Sequence, residues 1–88
     1  MSAADQVPTA VQLGRTLWRC RRGMKELDLL LERFGRRGFP QASLAERTLF
    51  EELLTLPDPE LAGYLLGGVA PSDPQMAPLV EQIRAYVA

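Results

Sequence analysis

The sequence predicts an all-α fold, a compact bundle of five short helices. Apolar residues recur at three- and four-residue spacings along nearly the whole chain, and no stretch sustains the alternation of two that a half-buried strand needs. Helix caps, glycines and prolines return at short intervals, which keeps each helix brief. With 88 residues the chain suits one domain, and 47% apolar with 24% charged residues is an ordinary balance for a folded protein. Residues 1–8 carry no periodicity and are expected to be a disordered N-terminus, with residues 9–88 forming the single helical domain.

The elements follow in order. Thr9, after Pro8, suits the cap of a first helix whose stripe is Leu13, Leu17, Cys20 and Met24. Gly23 interrupts that stripe and predicts a bend or a break, because glycine within a helix costs about 1 kcal/mol relative to alanine. Leu27, Leu30, Leu31 and Phe34 make one face of a second helix, expected to stop near Gly35 to Gly38 with Arg36 and Arg37 at its negative end and Pro40 beyond. Ser43 and Glu46 form a capping box that opens a third helix with Leu49, Phe50, Leu53 and Leu56 inward, ended by Pro57. Asp58 before Pro59 reads as cap plus first-turn proline of a fourth helix, with Leu61, Ala62, Leu65 and Leu66 inward and Gly67 and Gly68 closing it. Asp73 before Pro74 repeats the signal for a fifth helix carrying Met76, Leu79, Val80, Ile83 and Val87.

Composition excludes several kinds of chemistry. Without histidine there is no Ser-His-Asp or Cys-His catalysis, no His-ligated zinc and no histidine pH switch. Cys20 is the one cysteine, so an internal disulfide and a Cys-rich metal site are impossible. No nucleophile and base can be paired, so no catalytic residue is assigned. No phosphate-binding loop or metal-ligand spacing is present, and no cofactor-binding or metal residue is assigned either. The longest uncharged stretch, residues 61–72, is far short of the roughly 20 apolar residues of a membrane span. The start of the chain has neither a secretory nor a transit pattern, so a soluble cytoplasmic protein is expected.

Charge is unevenly placed. Residues 15–37 hold eight basic against three acidic side chains, and residues 38–88 hold two basic against seven acidic ones. Such a field steers partners more than it shapes a fold. Within the basic third, residues 18–28 concentrate charge around Gly23. Where a helix runs through or resumes at Gly23, Arg22 and Glu26 lie side by side, with a shallow spot between them that a partner backbone can approach. The plainer alternative is a solvated surface pair worth under about 0.5 kcal/mol, beside a glycine corner. Trp18 is either half-buried padding or an exposed interface anchor next to arginines. Cys20 lies on the apolar stripe and reads as a small buried hydrophobe rather than a reactive thiol. The arginines of residues 15–22 can contact phosphates, but no DNA-reading helix pattern accompanies them and the net charge is −1.

Arg22, Gly23 and Glu26 fit an Arg-Gly-x-x-Glu motif inside Trp-x-Cys-Arg-Arg-Gly-Met-Lys-Glu-Leu-Asp. With Leu27 and Asp28, Phe34, the run Leu49, Phe50, Glu51, Leu53 and Leu54, then Asp58, Pro59, Glu60, Leu61, Tyr64 and Leu65, the chain resembles the small succinate dehydrogenase assembly factors that promote covalent flavin attachment, the SdhE family. The likeness covers roughly residues 12–87. It departs at Tyr64, where many relatives carry tryptophan, and in the Arg- and Gly-rich loop at residues 35–42.

The resemblance implies a five-helix bundle that is a monomer when free. It implies as client the flavoprotein subunit of succinate dehydrogenase, with that of fumarate reductase as a candidate second client. The client becomes linked to FAD through one of its own histidines, which attacks the flavin methyl group. Arg22, Gly23 and Glu26 would face the client, with Trp18, Arg21 and Asp28 as flanking contacts. FAD would be attached to the client, with none held by this chain itself, and a bacterial cytoplasmic setting follows. Two other classes stay open: an antitoxin-like regulatory protein, as some members of the resembling family have been labelled, and a small helical nucleic-acid binder.

Overall fold

Five helices pack around one aromatic and aliphatic core in a computed structural model that describes residues 8–86. They are α1 (Ala10–Arg19), α2 (Lys25–Arg33), α3 (Leu44–Leu53), α4 (Asp58–Leu65) and α5 (Met76–Ala85). Among the described residues there is no strand. The expected all-α bundle is the fold. Residues 1–7, Val87 and Ala88 lie outside the described residues; Pro8, the last of the segment expected to fray, is buried.

Side-chain caps open two of the five helices. The Thr9 hydroxyl accepts the Gln12 amide at 3.1 Å and opens α1. Ser43 and Glu46 close the capping box reciprocally, with both bonds at 3.1 Å, and open α3. The other two acidic signals are displaced. Pro57, not Asp58, caps α4, and Asp58 is its first residue with no capping bond of its own. Asp73 stands two residues before the Gln75 cap of α5, where its carboxylate takes the Gln75 amide at 2.9 Å in the approach turn.

The largest departure is after α2. The helix does not stop at Gly35 to Gly38 but rewinds as a π turn, Phe34–Gly38, followed by a 3-10 turn, Phe39–Gln41. The Phe39 amide reaches the Phe34 carbonyl five residues back. At the regular 100° per residue these two side chains would diverge by roughly 140°; the wider turn brings both into the core, where each is fully buried against Phe50. Ring centroids lie 4.8 Å apart for Phe34 and Phe50 and 5.7 Å for Phe39 and Phe50, in the tilted geometry that aromatic quadrupoles favour. Phe39 belongs to the core although no periodic pattern marked it.

Elsewhere the apolar faces are largely those expected. Leu27, Leu31, Leu53, Leu61, Leu65, Met76, Leu79, Val80 and Ile83 are buried. α3 ends four residues before Pro57, so Leu54 turns inward and Leu56 is only half-buried. Leu66 and Met24, expected on inner faces, are 43% and 39% exposed because α4 and α1 have each ended before them. Gly68 takes a left-handed φ of 72° just past α4, the glycine stop that the sequence announced.

Candidate functional site

The segment with the most concentrated charge forms the corner between α1 and α2. α1 ends at Arg19, and the Cys20 amide closes it on the carbonyls of Thr16 and Leu17, each at 3.2 Å. α2 begins at Lys25 behind an extended Met24. Gly23 turns the chain at φ 87°, a left-handed conformation that favours glycine. No atom outside its immediate neighbours lies within 4 Å of where a Cβ would stand. Gly23 is therefore an open corner, and the space beside it is accessible from outside.

This break separates Arg22 from Glu26, which do not form the helical pair that their spacing allows. Asp28, in the first turn of α2, folds back and accepts the amides of Arg22 at 2.8 Å and Gly23 at 3.2 Å. Its carboxylate sits at the positive end of α2 and fixes the corner's backbone. The Arg22 side chain turns the other way, into the bundle, and is only 15% exposed. Its Nε donates to Asp58 Oδ1 at 2.8 Å. Its Nη1 donates to the carbonyls of Leu54 at 2.8 Å and Arg19 at 3.1 Å, and its Nη2 to that of Leu56 at 2.7 Å.

These partners have a common logic. Leu54 and Leu56 follow the end of α3, where carbonyls lack helical partners and carry the negative end of the dipole. Asp58 begins α4, at a positive end. One guanidinium thus joins two helix ends and a carboxylate through its planar fork, a task for which a point charge such as lysine is poorly shaped.

Glu26 is exposed, and no described residue pairs with it. Lys25 and Met24 beside it are exposed too. Trp18 stands 73% exposed on α1. With Gly14, Leu17, Arg21, Glu32 and Arg36 it lines a shallow groove of about 300 Å³. Arg21 reaches Glu32 at 3.5 Å across it. Trp18 is therefore exposed rather than half-buried. Cys20 is fully buried, its thiol donating to the Leu31 carbonyl at 3.5 Å, and burial pushes its pKa up to about 12. It packs as a hydrophobe. Among the described residues no cluster of acidic or cysteine side chains is arranged to hold a metal ion, and no helix is long and apolar enough to cross a membrane.

Of the six residues singled out from the sequence, Gly23, Glu26, Trp18 and Arg21 are exposed at or beside the corner, while Arg22 and Asp28 are turned onto the protein itself. Asp58 was read only as a helix cap. Its link to Arg22 spans 36 positions, and no local pattern announces such a pair.

The family described as the flavinator of succinate dehydrogenase matches residues 14–87. The chain belongs to this family. Among curated relatives it is 45% identical over 76 residues to the FAD assembly factor SdhE of Methylococcus capsulatus, covering 86% of this chain and 92% of that one. It is 43% identical over 67 residues to the FAD assembly factor SdhE of Coxiella burnetii, covering 76% and 82%. It is 37% identical over 78 residues to the protein of the same description from Shewanella oneidensis, covering 89% and 95%. No solved structure matches the chain. The family match takes in the whole corner, from Trp18 to its distant partner Asp58.

Proposed function

We propose that this chain is a bacterial cytoplasmic binding module, monomeric when free, that engages the flavoprotein subunit of succinate dehydrogenase and promotes covalent attachment of FAD to a histidine of that client. The flavoprotein of fumarate reductase is a second client by the same reading. The observation that carries the proposal is the match to flavinators across residues 14–87. The open corner at Gly23, with Glu26 unpaired beside it and Trp18 and Arg21 on its flank, is the surface offered to the client.

The division of labour follows from composition. The chain has no histidine, so the residue that forms the bond is the client's. What a small helical module supplies is differential binding. It binds the client conformation in which the histidine and the flavin are correctly placed better than it binds the others, and populations shift accordingly. Moving a two-state client from one part in a hundred to ninety-nine takes about 5.5 kcal/mol of differential affinity. That is within reach of a few well-placed contacts around one aromatic anchor.

The test is capture of a tagged copy from its native host, with the retained flavoprotein denatured and examined for bound flavin fluorescence. Wild type should retain a succinate dehydrogenase flavoprotein, and Glu26→Ala and Gly23→Arg should lose capture or flavinylation. Normal flavinylation with both variants would remove the corner from the function.

A further inference from the structure

We infer that Arg22 and Asp58 act together as positioning residues, holding the Gly23 and Glu26 surface in register with the end of α3 and the start of α4; this rests on the corner being the client-facing surface. Asp58 thereby joins the functional set, and Arg22 serves it from beneath.

Three observations converge. The Arg22 guanidinium is 15% exposed and makes four hydrogen bonds within the chain, leaving it little to offer a client. Three of those bonds go to Leu54, Leu56 and Asp58, all at one junction between two helices. The backbone on either side of the Arg22 Cα is held as well, since Asp28 grips the amides of Arg22 and Gly23. The corner is thus clamped from both directions: Asp28 fixes its shape, and the Arg22 fork fixes where it sits on the bundle. Without the fork the corner loses its anchorage to α3 and α4, the Asp28 bonds to the Arg22 and Gly23 amides open more often, and a partner that must meet Glu26 and the corner together finds them in many relative positions.

Asp58 suits this role. It makes no capping bond to its own helix, and its Oδ1 bonds to Arg22 Nε at 2.8 Å. The remaining carbonyl partners belong to the backbone and survive any substitution. Asp58 is therefore the half of the clamp that can be altered without touching the corner's own sequence.

The experiment compares Arg22→Lys, Asp58→Ala and the double variant. Arg22→Lys keeps the charge but replaces the planar fork with a single ammonium, which cannot reproduce all four bonds. Two quantities are read well below the melting temperature, on chains whose circular dichroism matches wild type. One is affinity for the purified, unflavinylated flavoprotein; the other is amide hydrogen exchange at Arg22 and Gly23 in the free chain, with Ile83 as the core control. Positioning predicts a loss of about tenfold in affinity for each single variant and about the same for the double, because linked residues do not add. It also predicts faster exchange at Gly23 with Ile83 unchanged. A purely structural clamp would lower the melting temperature and leave the affinity of the folded chain alone, and that result overturns the proposal. Losses that multiply to about a hundredfold mark two independent client contacts, and overturn it as well. Glu26→Ala run alongside separates the two readings. If it binds normally, the client-facing corner falls, while exchange at Gly23 still decides whether Arg22 and Asp58 hold that corner: unchanged exchange rejects the clamp, and faster exchange upholds it.

Discussion

The corner at Gly23 and the π turn at Phe34–Gly38 are both glycine-bearing, arginine-rich changes of direction, and they are built on opposite principles. At Gly23 the backbone demands a positive φ of 87° while the space around it is open. At Gly38 the φ is an ordinary −84°, but a Cβ would stand 2.6 Å from the Phe34 ring. One glycine is required by the sign of a dihedral, the other by volume. The first corner is held by a carboxylate and a guanidinium and stays accessible. The second is held by three phenylalanines, all fully buried. A polar clamp lets a turn be rigid and exposed at once, which a surface meant for a partner needs, whereas an apolar clamp achieves rigidity only by burial.

The two principles separate under mutation. Phe34→Ala should have the largest effect, destabilising by about 3–5 kcal/mol through the cavity left between Phe50 and Tyr86. In a chain this small that approaches the whole stability, so equilibrium denaturation should show a chain largely unfolded at physiological temperature. Gly38→Ala should cost about 1–3 kcal/mol by overpacking, and Phe34→Leu in the same chain should return part of it, which a melting series checks. Gly23→Ala should cost about 1 kcal/mol from backbone strain alone, a shift of about 4–8 °C in melting temperature. Gly23→Asn should lose less, since asparagine tolerates left-handed φ. Were Asn no better than Ala at Gly23, strain would not be the reason for that glycine.

Cys20 lies between the two regions, and its thiol stands about one van der Waals contact, 3.4 Å, from where a Gly35 Cβ would be. Its folded pKa of about 12 exceeds the ordinary thiol value of about 9. The neutral thiol is thus favoured by folding, and its contribution is complete below pH 9 and declines as pH rises from there through 12. Denaturation curves across that range should steepen in their loss of stability for wild type relative to Cys20→Ala, and thiol-labelling of the native chain should be slow. The smallest effect on stability belongs to Glu26→Ala, expected within about 0.5 kcal/mol of wild type while client capture is lost.

Much of the bundle was legible in the sequence because its signals are local. The Thr9 cap and the Ser43 and Glu46 capping box act within one turn and formed as read, and the leucine stripes formed in the main, with Met24, Leu56 and Leu66 falling past their helix ends. The π turn was not legible: two glycines and two arginines followed by Phe39 and Pro40 look like a helix end, and only the aromatic core explains why winding continues. At the site, exposure of Gly23 and Glu26 agrees with a helix-breaking glycine among charges. The inward turn of Arg22 could not be read, because its partners are carbonyls, which every residue possesses, and an aspartate whose neighbouring proline suggested a different role.

The bonds from Arg22 close loops of 32 to 36 residues. During synthesis α1 and α2 therefore emerge well before the groups that lock the corner between them. Until residue 58 has left the ribosome, a nascent chain displays the right side chains on a corner with nothing behind it. Arrival of Leu54, Leu56 and Asp58 is what turns the first half into a defined surface, so the corner registers that synthesis has passed the start of α4.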